Sequence, residues 1–123
     1  MSDPYRLKHR EEFARVMRQG RAQSNHLLLL RAAPNQLKTS RFGYAVSKQV
    51  GTAVVRNLVR RRIREVVRHM QVKSGWDMVI IPRKASAAVS FQALKASLEG
   101  LTRRAGLLEN EVATDPGNVK GNP

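Results

Sequence analysis

Residues 47–70 read SKQVGTAVVRNLVRRRIREVVRHM, and the fold turns on how this stretch divides. Gly51 breaks the strand-like pattern before it, and Thr52 is suited to cap a helix beginning at the next residue. From Ala53 to Met70 the spacing predicts that helix. At about 100° per residue, Val55, Leu58, Val59, Ile63, Val66 and Met70 gather on one side, with Val67 at the margin. Opposite them, Asn57, Arg60, Arg61, Arg64 and Arg68 fall within an arc of roughly 100°, with Arg56 at its boundary. Arg62 points near the apolar stripe and is expected to carry its charge outward on an extended stem.

This helix repels itself. Arg56 with Arg60, Arg60 with Arg64, and Arg64 with Arg68 are like-charged i, i+4 pairs, costing together about 1 kcal/mol. Glu65, beside Arg61, Arg62 and Arg68, offsets part of that cost. Phosphates along this flank would turn the remainder into a gain, through several guanidinium forks and released counterions. A solvated basic face is the plain alternative. A membrane-surface helix is disfavoured, because the apolar side lacks Trp and Phe and the neighbouring strands need it for the core.

The flanks give the rest of the architecture. Before the helix, residues 41–47 alternate, with Phe42, Tyr44 and Val46 on one side and Gly43 and Ala45 on the other, as in a half-buried strand. Residues 26–33 read as the preceding strand, antiparallel to it, with a turn over 34–40. Further back, Phe13, Val16 and Met17 place a first helix over 9–19, ended by Gly20. A strand within residues 21–25 is compatible with the sequence but not indicated by it. After the arginine helix, WDMVII (76–81) is a short strand stopped by Pro82. Ser90 is placed to cap a last helix carrying Phe91, Leu94, Leu98 and Leu101, running to Gly106. The pattern is α+β with one small sheet.

Composition narrows the partners. The chain has 123 residues, with 23 Lys and Arg against 9 acids, and no cysteine. One domain is expected, and a disulfide scaffold or thiolate zinc site is excluded. The charged start and the absence of a long apolar run point to a soluble, cytoplasmic protein with no membrane association. Residues 109–123 are polar and hold three of the acids, leaving residues 1–108 with a charge of +16. The domain is therefore placed at 1–108, and 109–123 is expected to be a disordered tail. Such a charge attracts polyanions, and nucleic acid is the expected partner.

The stretch SKQVGTAVVRNLVRRRIRE (47–65) resembles the motif of the bacterial ribonuclease P protein subunit family. That motif is a strand ending in Ser-Lys, a Gly before a small residue and Val, then Arg-Asn-x-x-x-Arg-x-x-x-Arg on a helix. Ser47, Lys48, Gly51, Ala53, Val54, Arg56, Asn57, Arg60, Arg61 and Arg64 match in order. Similarity extends from YRLKHREEFARVMRQG to WDMVIIPRKAS and the final helix, about residues 5–108. Leu58 stands where the family often has a further Arg, and Met17 where it often has Phe.

The resemblance implies an αβββαβα fold with a left-handed βαβ crossover around the arginine helix. It implies a catalytic RNA subunit as partner and precursor tRNA as substrate. The RNA would hydrolyse the phosphodiester with Mg²⁺, which no dedicated protein site holds. The protein would assist removal of the 5′ leader and would be monomeric by itself. Lys48, Arg56, Asn57, Arg60, Arg61, Arg64 and Arg68 would bind RNA. A leader cleft between sheet and first helix would hold Phe13, Met17, Leu28, Leu30, Phe42 and Tyr44, with Lys48 at its rim. Phe13, Leu28 and Phe42 serve equally well as core, whereas Tyr44 favours partial exposure and can stack a base.

Nothing in the sequence suggests that the polypeptide cuts RNA itself. Residues 1–108 hold six carboxylates: Asp3, Glu11, Glu12, Glu65, Asp77 and Glu99. Glu11 and Glu12 diverge on a helix, and His9, His26 and His69 lack ligand spacing. No catalytic residue is expected. The main alternative is a structural or ribosomal RNA-binding protein without a processing role. A stand-alone nuclease and a DNA-compacting protein are the others.

Overall fold

A computed structural model describes residues 5–109. The elements are α1 (Arg10–Gln19), β1 (Arg21–Ser24), β2 (Leu28–Pro34), β3 (Arg41–Tyr44), α2 (Ala53–His69), β4 (Trp76–Pro82) and α3 (Phe91–Arg104). Short 3₁₀ turns at Lys48–Val50 and Lys84–Ala88 lead into α2 and α3. The αβββαβα order is the one the resemblance implies.

The four strands form one mixed sheet in the order β1-β2-β4-β3. β2 is antiparallel to β4, and β3 runs parallel to β4, so β3-α2-β4 is a βαβ unit. The expected pairing of β2 with β3 is therefore corrected. β4 inserts between them, because α2 returns the chain alongside β3 and the apolar run 78–81 fits a central strand buried on both faces. β1 exists although no apolar alternation marks it. Its residues are largely exposed, and it is held as a hairpin on β2 by Asn25, whose Oδ1 accepts the N–H groups of Leu27 and Leu28 at 2.9 Å each.

Each sheet face has its own cover. Leu28, Leu30, Ala32, Phe42, Met78 and Ile80 form the main core with Val59, Ile63 and Val66 of α2 and Leu94, Leu98 and Leu101 of α3. The alternate residues of the strands face α1. Val79 is fully buried there with Leu7 and Val16, and Phe13 and Ile81 pack at the edge. Gly43 lies on this face too, because any Cβ on it would collide with the ring of Phe13.

Both helix starts expected from Thr52 and Ser90 are observed, each hydroxyl accepting a backbone N–H, from Val55 and Ala93. Gly51, at φ 157° and ψ −164°, occupies a region open essentially to glycine alone and turns the chain into α2. Of the expected tail, Glu109 is described, and its N–H donates to the Gln71 carbonyl at 2.7 Å. The remainder of the expected tail lies outside the described residues. Among the described residues, no helix is long and apolar enough to cross a membrane.

Candidate RNA interface

α2 builds the site by burying one stripe and leaving the other in water. Val59, Ile63 and Val66 are buried, while Asn57, Arg61, Arg64 and Arg68 are exposed and Arg56 and Arg60 half-buried. The side chains are partly pre-ordered. Arg60 Nη1 donates to Asn57 Oδ1 at 2.7 Å, and Arg56 Nε donates to the Gly51 carbonyl at 3.2 Å. Arg64 lies over the Tyr44 ring, 6.0 Å from its centroid. Lys48 is exposed in the turn just before the helix.

Glu65 is the lone carboxylate of α2. It lies 3.2 Å from Arg68 and 3.4 Å from His69, so the expected reach toward Arg61 and Arg62 is replaced by these C-terminal neighbours. Arg62 does not carry its charge out to water as expected. It is half-buried and donates to the Val89 carbonyl at 3.0 Å, which ties α2 to the loop before α3.

The six residues expected to line one cleft are divided between the two sheet faces. Phe13 and Met17 are on α1, with Met17 42% exposed. Leu28, Leu30 and Phe42 are buried in the main core on the other face, and Tyr44 packs beside them toward α2. The physical reason is the two-residue period of β2. Leu29 pairs with Ile81, and Arg31 with Val79, and these are the residues that share a face with Phe13 and Met17. Arg31 Nη1 donates to the carbonyls of Met17 and Gly20 at 3.2 and 3.3 Å, so it sits under the end of α1. Phe13 and Met17 of α1 and Leu29, Arg31, Val79 and Ile81 of the sheet therefore lie on one side, and Leu28, Leu30, Phe42 and Tyr44 on the other. Arg31 was the available signal. A charge within the run LLLLRAA marks which alternate residues leave the core.

On the same face, Asp77 is fully buried and holds α1 to the sheet. Arg41 engages it twice, Nε to Oδ1 at 2.9 Å and Nη2 to Oδ2 at 2.7 Å. Arg15 Nη2 donates to Oδ2 at 2.7 Å and Asn35 Nδ2 to Oδ1 at 2.8 Å. Burial pushes the Asp77 carboxyl up, but these hydrogen bonds and the Arg41 charge outweigh it and hold the group below its ordinary range. Glu12 caps α1 by accepting the N–H groups of Lys8 and His9, and it also receives Arg41 Nη1 at 2.9 Å. Among the described residues, no three His, Cys, Asp or Glu side chains are grouped to hold a metal ion.

A fold of this order, with an arginine flank ahead of its last strand, has close counterparts. A model of the Ribonuclease P family matches residues 1–106. The chain belongs to the Ribonuclease P protein family. It is 44% identical over 119 residues to the ribonuclease P protein component of Roseiflexus castenholzii, covering 94% of this chain and 98% of that one. It is 41% identical over 109 residues to the component of Clostridium kluyveri, covering 85% and 97%. The RNase P protein of Staphylococcus aureus superposes with a TM-score of 0.78 at 27% identity, covering 87% of this chain and all of that one. The RNase P protein from Thermotoga maritima gives 0.75 at 30% identity, covering 80% and 96%. The matched region takes in both the arginine flank and α1.

Proposed function

We propose that the chain is the cytoplasmic protein subunit of a bacterial-type ribonuclease P, contributing charge and shape while the catalytic RNA performs the hydrolysis. The observation that carries this reading is the exposed flank of α2, a helix with six arginines and one carboxylate. Lys48, Arg56, Asn57, Arg60, Arg61, Arg64 and Arg68 bind phosphates of the catalytic RNA where it meets precursor tRNA. The Asn57–Arg60 hydrogen bond supports this, because a guanidinium already oriented loses less freedom on meeting a phosphate. In this reading the single-stranded 5′ leader lies between α1 and the sheet, in what we call the α1 groove, with Phe13 and Met17 against bases or riboses and Arg31 as a cation within reach.

Most described carboxylates are committed within the protein. Asp77 is held by Arg15 and Arg41, Glu12 by Arg41, Glu65 by Arg68, and Glu99 by Lys95. This donor set does not fit a Mg²⁺ cradle, and we assign Mg²⁺ to the RNA.

The test is a reconstitution at low Mg²⁺ with the catalytic RNA from the same genome, each component omitted in turn. Protein and RNA together should release the 5′ leader from precursor tRNA, the RNA alone only weakly, and the protein alone not at all. Cleavage by the protein alone, or no gain on adding it to the RNA, would reject the reading.

A further inference from the structure

A cavity of about 560 Å³ opens on the face away from α1, between the outer edge of β3 and the C-terminal half of α2. The walls are Tyr44 and Tyr5, the latter 57% exposed. Tyr5 is brought there by the N-terminal segment, which extends the sheet edge: Phe42 donates its N–H to the Tyr5 carbonyl at 2.8 Å, and Leu7 donates to the Phe42 carbonyl at 2.9 Å. Phe42 closes the floor, and Lys38, Arg64 and Arg68 stand at the rim. The volume falls within the range that small planar ligands fill, about 300–1,000 Å³.

The chemistry of this cavity differs from that of both surfaces assigned above. The α2 flank offers cations without shelter, and on the α1 face Arg15 and Arg41 are already held by Asp77. Here two phenol rings and an apolar floor meet three cations, against one carboxylate, Glu109. Phenol rings and guanidinium planes stack on unpaired bases, and rim cations hold the phosphates on either side. Arg64 belongs to both the cavity and the α2 flank, so RNA lying along α2 passes the mouth. The Arg64–Tyr44 contact lies at the outer limit of cation–π attraction, about 6 Å, so it is readily exchanged for stacking on a base.

We propose that this cavity takes one unpaired nucleotide of the catalytic RNA, its base against Tyr44 and Tyr5 and its phosphates between Lys38, Arg64 and Arg68. The proposal rests on the ribonucleoprotein reading above and adds a base-binding site to it.

The test measures affinity of the full chain for the catalytic RNA across a salt series, with Tyr44→Leu, Tyr44→Phe and Tyr5→Ala. Tyr44→Leu should weaken binding by about fivefold or more, the loss of one stacked base. The slope of log affinity against log salt should not change, because no phosphate contact is removed. Tyr44→Phe, which keeps the ring, should bind like the wild type. Tyr5→Ala, at an exposed terminal position, should show the same kind of loss and stands in if Tyr44→Leu fails to fold. Wild-type affinity in Tyr44→Leu and Tyr5→Ala would overturn the proposal, and is the result expected if the occupant is residues 110–123 or a protein. A flattened slope in Tyr44→Leu would also overturn it, by showing that the ring only positions Arg64. A wild-type chain that binds no RNA would defeat the ribonucleoprotein reading itself, whereas indifferent tyrosines in a chain that binds defeat only the cavity.

Discussion

Two sets of arginines in this molecule meet opposite fates. Arg15 and Arg41 converge on a fully buried Asp77 and are neutralised inside the protein. Along α2 the acids fall far short, with six arginines to one carboxylate, whose ion pairs are with Arg68 and His69. The residue type is the same, so the difference lies in where the acids are. Internal carboxylates make the first set structural, and their scarcity leaves the second set for an external anion.

The largest effect should come from the structural set. Asp77→Ala leaves two guanidinium groups without their partner and should cost about 3–5 kcal/mol in denaturant unfolding, as loss of one member of a buried pair does. A cost below about 1 kcal/mol would mean that the network is ornamental. The binding set should behave in the opposite way. Arg60→Ala with Arg64→Ala should lose about 2–4 kcal/mol of affinity for the catalytic RNA, as two charge-assisted contacts revert to water. Stability in the same variant should hold or rise by a few tenths of a kcal/mol, since like-charge pairs are relieved.

Acid should separate the two regions further. The folded pKa of Asp77 lies below its unfolded value, about 3.9. Its contribution is therefore complete above that value and is lost as pH falls through the lowered folded pKa. Glu12, held low despite burial by the N–H groups of His9 and Lys8 and by Arg41, acts in the same direction. Thermal stability should fall below about pH 4, and Asp77→Asn should flatten that fall. The smallest effect is expected in the α1 groove. Met17→Ala should weaken precursor tRNA binding by up to about 1 kcal/mol more than mature tRNA binding. Equal losses would remove the leader from this groove.

The same contrast explains which features are legible in the sequence. The α2 flank is legible because a helix of 17 residues repeats its apolar stripe often enough to fix the phase of every arginine. The fate of Arg62 is not, because the Val89 carbonyl that receives it is 27 residues away in sequence. Around the start of β2 four consecutive leucines, 27–30, conceal the two-residue period, so Leu28 and Leu30 are expected beside α1 although they face the main core. The place of β4 between β2 and β3 depends on pairings that no local pattern carries. Asp77 in the sequence is one carboxylate among several, and only the fold brings Arg15, Asn35 and Arg41 around it.

The central claim is that RNA phosphates supply the counter-charge missing from α2. The most direct measurement is the slope of log affinity for the catalytic RNA against log salt, for the wild type and for Arg60→Ala with Arg64→Ala. Removing one arginine–phosphate pair should reduce the slope by roughly 1, so the double variant should be shallower by about 2. Parallel lines for the two proteins would contradict the account, because the arginines of α2 would then not be the groups that displace counterions from the RNA.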